Sequence, residues 1–211
     1  MRQAFLFLVI AIGLAWSGCS STKSVPANDK LYTGASVKLK DVANTREKRA
    51  LQEGVEGLTR PKPNSKFLGM RLKLGIYNMF YKAKPKSFWG KIRDKYGQPP
   101  VLLSQVDLEK NAQNIQTYLF NKGYFNALVT GDTIVRRKTA KAEYKAPAGE
   151  RYTIDTIHFP TDSSALSKTI RESMDKSLLV KGNGFDLDVI KGERARIDAY
   201  LKERGFYFFN P

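Results

Sequence analysis

The sequence predicts an α+β fold: two tandem β-α-α-β-β modules, each with two helices on a small three-stranded mixed sheet, the second module incomplete. Three observations carry this expectation. The phrase Tyr118-Leu119-Phe120-Asn121-Lys122-Gly123-Tyr124-Phe125 returns as Tyr200-Leu201-Lys202-Glu203-Arg204-Gly205-Phe206-Tyr207, with the two glycines 82 positions apart, about the length of one small domain. Two amphipathic runs belong to each half of the chain, the second of each pair ending in that phrase. Ala140, Ala142, Tyr144 and Ala146 alternate strictly with Lys141, Glu143 and Lys145, the period of a half-buried strand.

Arg2, the apolar run Ala4 to Trp16 and then Ser17-Gly18-Cys19 have the layout of a secretory signal over residues 1–18. The run falls short of the roughly 20 apolar residues that a spanning helix needs. Cys19 is the only cysteine of the chain and follows two small residues, an arrangement that resembles the lipobox of bacterial lipoproteins. The resemblance implies that Cys19 carries the lipid, the alternative being an ordinary signal peptide with an incidental cysteine near its end; residues 19–30, polar and small with Pro26, read as a flexible tether. Ser20-Ser21-Thr22-Lys23 lacks the acidic residues that follow the cysteine in some surface-exported lipoproteins, which favours a periplasm-facing position.

The first module is expected over residues 31–148. Ala35, Val37 and Leu39 alternate with Ser36, Lys38 and Lys40 and predict a strand over Leu31 to Lys40. Leu51, Val55 and Leu58 recur at helical spacing within Thr45 to Leu58, and Pro61 and Pro63 stop the helix. Asp107 suits an N-cap, and Leu108, Ala112, Ile115 and Leu119 line one face of a helix that Gly123 closes. A strand from Tyr124 to Val135 and a second from Ala140 to Ala146, joined by Arg136-Arg137-Lys138, make a hairpin that Pro147-Ala148-Gly149 ends.

Between those helices lies an insertion at residues 60–100 with eleven Lys or Arg against the single acid Asp94, most of the chain's net charge of +16. Seven aromatics are interleaved with the charges. Basic residues with aromatic rings suit a lipid surface, an acidic protein or nucleic acid, and export excludes the last. Arg71, Lys73, Lys82, Lys84, Lys86, Trp89 and Lys91 are the candidate membrane or partner patch. The same rings could instead pack the insertion onto its own module, with the lysines a solvated face.

The second module, residues 149–211, begins the order again. A strand is expected over Tyr152 to Phe159. A helix capped by Ser163 or Ser164 follows with Leu166, Ile170 and Met174 inward, then a second helix from about Asp186 and a strand opening at Phe206-Tyr207-Phe208-Phe209. No counterpart of the hairpin follows, so the expectation is a truncated sequence or strands supplied by a partner.

Little in the residues favours catalysis. His158 is the only histidine and falls in an expected strand, and with Cys19 committed to lipid no Cys/His metal set or thiol nucleophile remains. Gly182-Asn183-Gly184 lacks the preceding strand and following Lys-Ser/Thr of a phosphate loop. No cofactor, metal or enzymatic activity is expected.

The module order, together with Arg60-Pro61-Lys62-Pro63-Asn64, Gly69-Met70-Arg71, Pro99-Pro100-Val101-Leu102 and Gly123-Tyr124-Phe125-Asn126-Ala127, resembles the POTRA region of the lipid-anchored branch of the BamA/TamA outer-membrane assembly family, often called TamL. The resemblance implies tandem POTRA-like modules on the periplasmic side of the outer membrane, ahead of a β-barrel that this sequence does not contain. It implies outer-membrane protein clients, a TamB-like periplasmic partner, and capture of extended segments by strand addition. The client-strand edge is then placed at Tyr124, Phe125, Asn126, Ala127 and Leu128, with Tyr124, Asn126 and Leu128 on the freer face. The alternative from a different class is a free-standing basic lipoprotein adaptor that binds anionic lipid or envelope polymer.

Overall fold

A computed structural model describes residues 21–42 and 44–210, so the signal segment and Cys19 lie outside the described residues. The fold class is α+β. The described elements run β1 (Leu31–Lys40), α1 (Thr45–Glu56), α2 (Leu72–Met79), α3 (Phe88–Tyr96), α4 (Leu108–Asn121), β2 (Thr130–Arg136), β3 (Thr139–Pro147), α5 (Ala165–Arg171) and α6 (Leu187–Lys202). Short 3-10 turns occupy Leu103–Gln105 and Met174–Lys176.

The sheet has the order β1-β3-β2. The Leu31 N–H donates to the Lys138 carbonyl at one end of β1 and the Ala148 N–H donates to the Lys40 carbonyl at the other. Both ladders ascend together, so β1 and β3 are parallel. The two-residue turn Arg137-Lys138 makes β2 antiparallel to β3, and the sheet is mixed as the sequence predicts. Ala140, Ala142, Tyr144 and Ala146 are all buried, which is what the alternation required.

The chain forms two compact units that interleave in sequence: Met1–Ser36 with Thr59–Asn111 and Gly131–Tyr144, and Val37–Leu58 with Ala112–Thr130 and Lys145–Pro211. This partition differs from the consecutive modules at 31–148 and 149–211 read from the repeat.

In the first unit, two buried asparagines pin the ends of the insertion. Asn111 accepts from the Arg60 N–H at 2.9 Å and donates to the Arg60 carbonyl at 2.6 Å. Asn64 donates to the Pro99 carbonyl at 2.7 Å and accepts from the Val101 N–H at 2.9 Å. The insertion itself is a folded helical pair: Phe80 stacks on Trp89 at 4.9 Å, and Arg93 donates to the Ala83 carbonyl at 3.1 Å. The expected tether is docked rather than free. Val25 is buried with Leu31 and Leu74, and the Ser24 hydroxyl donates to Asn78.

In the second unit, α1 starts at the expected place, with Asn44 accepting from the Arg46 and Glu47 N–H groups, and it buries Leu51 and Val55. Ser164 caps α5 and Asp186 caps α6, both expected from sequence. Helix α5 is shorter than its apolar spacing predicts. It ends at Arg171, and Met174 lies exposed in a 3-10 turn. Glu193 of α6 is buried and accepts from the Leu178 N–H and the Ser177 hydroxyl at 2.9 and 3.0 Å. The Arg196 guanidinium beside it holds its carboxyl below the usual range.

Three expected strands are corrected. The segment Tyr124 to Val129 is a turn and a short extended run, so β2 begins only at Thr130. Tyr152 to Phe159 makes one isolated bridge, Thr153 with Gly184, in place of a strand. Phe206 to Phe209 is a turn closed by the Phe209 N–H on the Phe206 carbonyl at 3.1 Å. Aromatic and β-branched residues favour strands only where a neighbouring strand is present to pair with them; among the described residues Tyr124 to Val129 and Phe206 to Phe209 have none, and Tyr152 to Ile154 pairs only with the short stretch Gly182 to Phe185.

Candidate functional site

The repeated phrase builds the same cap twice. At the end of α4 the Tyr124 N–H bonds back to the Leu119 carbonyl at 3.0 Å, and at the end of α6 the Phe206 N–H bonds to the Leu201 carbonyl at 3.1 Å. Gly123 and Gly205 occupy the left-handed region with φ of 89° and 94°, as a glycine-terminated helix requires. After the first cap the Ala127 N–H returns to the Tyr124 carbonyl, so the predicted client edge Tyr124 to Leu128 curls back instead of running beside the sheet.

Each of those five residues has a definite place. Tyr124 and Ala127 are buried, while Asn126 and Leu128 are exposed. Tyr124 was expected on the freer face. Instead, burial and a hydrogen bond to Glu47 raise its phenol above the ordinary value. Phe125 is the centre of an aromatic cluster, edge-on to Phe120 at 4.5 Å, Phe185 at 5.0 Å and Tyr152 at 5.1 Å. Around the cap, Arg151 donates to the Lys122 and Phe185 carbonyls, each at 2.9 Å, and pairs with Glu47 at 2.6 Å. Lys122 reaches Asp186 and Asp188. Burial pulls its pKa down, but the two carboxylates outweigh that and raise it on balance. The cap is thus packed and its polar groups are paired within the chain.

The accessible edge lies farther along the chain. Of the two outer strands, β1 is covered at its start, where Leu31 bridges to Leu102 and the Tyr32 N–H donates to the Val101 carbonyl at 2.8 Å. Among the described residues no strand or bridge lies on the outer side of β2. Its residues are exposed throughout except Thr133, with Ile134 at 41% and Val135 at 49%. The two-residue turn sets Arg136 opposite Thr139 and therefore Gly131 opposite Tyr144. A Cβ on Gly131 would stand 2.9 Å from the Tyr144 ring. In that register the N–H groups of Gly131, Thr133 and Val135 point away from β3.

The basic patch is folded and mostly exposed. Lys73, Lys82, Lys84, Lys86, Trp89 and Lys91 are solvent-facing, whereas Arg71 is half-buried and burial lowers its pKa, so it does not belong with them. Lys23, Met79, Phe80, Tyr81, Lys82, Ala83 and Trp89 line an open cleft of about 430 Å³. Ahead of α2 is a feature the sequence reading missed. Phe67 and Met70 exchange backbone hydrogen bonds of 2.8 and 3.0 Å, while Leu68 and Gly69 between them both have positive φ, 48° and 79°. That is the pattern of a type I′ turn, and it costs a leucine about 1–2 kcal/mol. The turn leaves Phe67, Leu68 and Met70 exposed at 63, 82 and 57%. The apolar run Phe67-Leu68-Gly69-Met70 between Lys66 and Arg71, with a glycine in it, was the available signal.

Among the described residues no group of three or more His, Cys, Asp or Glu could hold a metal, and no helix is long and apolar enough to cross a membrane. No family model matches the chain, and no curated protein matches it. Among solved structures, the crystal structure of Haemophilus influenzae BamA POTRA3-5 is similar at a TM-score of 0.26 and 16% identity, over 88% of this chain and 90% of that chain.

Proposed function

We propose that the chain is a POTRA-type region on the periplasmic side of the outer membrane, part of a protein assembly or translocation factor that holds extended client or partner segments by strand addition. Its element order with a three-stranded mixed sheet supports the module type. The observation that carries the reading is the asymmetry of the sheet: β1 is covered at its start, and among the described residues no strand or bridge lies on the outer side of β2. Backbone donors on an open edge bind extended chains without demanding one sequence, which suits unfolded outer-membrane clients. The finer reading, drawn from the sequence, is a TamL-like protein anchored through Cys19, working with a TamB-like partner.

The test is a pair of prolines, Thr133→Pro and Val135→Pro, which remove outward donors while leaving the ladder to β3 intact. Two lost backbone hydrogen bonds at about 1 kcal/mol each predict roughly tenfold or greater loss of affinity for a fluorescent outer-membrane strand peptide, read by anisotropy. Unchanged affinity with unchanged circular dichroism would remove β2 as the binding edge.

A further inference from the structure

We infer that the insertion is a membrane-docking device: the turn Phe67-Leu68-Gly69-Met70 enters the headgroup region of an anionic bilayer, and the exposed lysines around it in sequence hold it there. Three observations converge on this. The turn projects three large apolar side chains into solvent from a strained backbone, although its flanks, Lys66 and Lys73, are exposed cations.

Helix α2 continues the apolar surface. Leu74 and Asn78 are its buried face, while Leu72 and Met79, seven residues apart, share an exposed one at 46 and 67%. Phe88 and Trp89 of α3 add rings exposed at 68 and 53%. The charge is overwhelmingly positive, eleven cations to one acid over residues 60–100, which complements anionic lipid. A protruding apolar turn with amphipathic rings and lysines fits an interface it can enter without a matching pocket, and a bilayer surface offers that.

The N-terminal segment points the same way. Lys23 lies 5.9 Å from the Tyr81 ring and Val25 packs with Leu74, so this segment is seated on the insertion. A lipid on Cys19 would be joined to Lys23 by only three residues, which keeps the insertion close to the membrane. That last point rests on the proposed anchor, and a chain without Cys19 separates the two.

The experiment uses the full chain with Cys19→Ala, which leaves an introduced thiol unique. Leu68→Cys carries an environment-sensitive dye, and Ser163→Cys, an exposed site, is the control. With vesicles of phosphatidylethanolamine and phosphatidylglycerol at low salt, the dye at 68 shifts to the blue and is quenched by spin-labelled lipid, and the dye at 163 is not. Phosphatidylcholine vesicles give no shift at either site, and high salt reverses the anionic response. Lys73→Glu with Lys84→Glu weakens the response roughly tenfold or more. No shift at 68 on anionic vesicles overturns the proposal, as does an equal shift on phosphatidylcholine. A shift with polyglutamate and none with vesicles overturns it in favour of an acidic protein partner.

Discussion

Replacing Gly123 and Gly205 by alanine, one at a time, separates what a helix cap costs locally from what its surroundings add. The two caps share φ near 90° and the same backbone hydrogen bonds, and both belong to the second compact unit. An alanine forced into the left-handed region costs about 1–2 kcal/mol, offset by about 0.4–1 kcal/mol because the unfolded chain also loses freedom. Nothing lies within 4 Å of a Cβ on Gly205, so Gly205→Ala should cost about 1 kcal/mol. A Cβ on Gly123 would stand 2.9 Å from the Phe185 carbonyl oxygen and 3.3 Å from that of Tyr152. Those neighbours are backbone, fixed by Arg151 and by the Tyr152 N–H on the Gly123 carbonyl at 2.9 Å, and cannot rotate aside. Overpacking adds about 1–3 kcal/mol, giving about 2–4 kcal/mol for Gly123→Ala. Urea midpoints by circular dichroism measure both. Equal losses would refute the claim that residues 151–185 bear on the first cap.

Two further outcomes follow from buried polar groups. Asn64→Ala leaves the Pro99 carbonyl and the Val101 N–H without their partner and should cost about 2–3 kcal/mol in a urea titration; a loss below about 0.5 kcal/mol would mean that water replaces the side chain. Burial, helped by the neighbouring Tyr144, pushes the Tyr32 phenol up to about 12 from 10.0, so the unfolded chain loses this proton first and stability falls as pH rises through that window. Tyr32→Phe should flatten the alkaline decline without abolishing it, because Tyr124 and Tyr144 are raised too, and an unchanged slope would refute this role for Tyr32.

Four of the six described helices, α1, α4, α5 and α6, were legible because their signals are local, whereas α2 and α3 within the basic insertion were not. Asn44, Ser164 and Asp186 each supply an oxygen to an open N-terminus, and Gly123 and Gly205 each relax a left-handed C-terminus, whatever the rest of the chain does. The hairpin was legible from the strict alternation of β3. The strands after each glycine were not, since Tyr124-Phe125 and Phe206-Tyr207 have strand-like composition but no neighbour to pair with. The segment Tyr124 to Leu128 curls back rather than extending, and Phe125 meets Phe120, Tyr152 and Phe185, two of which are distant in sequence. The basic patch was legible as composition, except Arg71, whose half-burial no pattern announced.

The N-terminal segment shows how composition misleads at short range. Ser20 to Asp29 is small and polar, which favours a flexible linker when nothing else is in view. One apolar residue is enough to reverse that when a receptive surface exists. Val25 meets Leu31 and Leu74, and Leu74 is presented by α2 only because the insertion folds as a helical pair. Ser24 then bonds Asn78 on the same face of that helix, four residues from Leu74. The segment and the insertion were separated by sequence reading because their contact spans some fifty residues. They form one structural piece, whose buried side is Val25, Leu31 and Leu74, while Leu72, Met79 and the turn at Leu68 are exposed. A helix so short and without a side-chain cap holds its shape through that buried side, which leaves Leu72 and Met79 on the opposite face exposed.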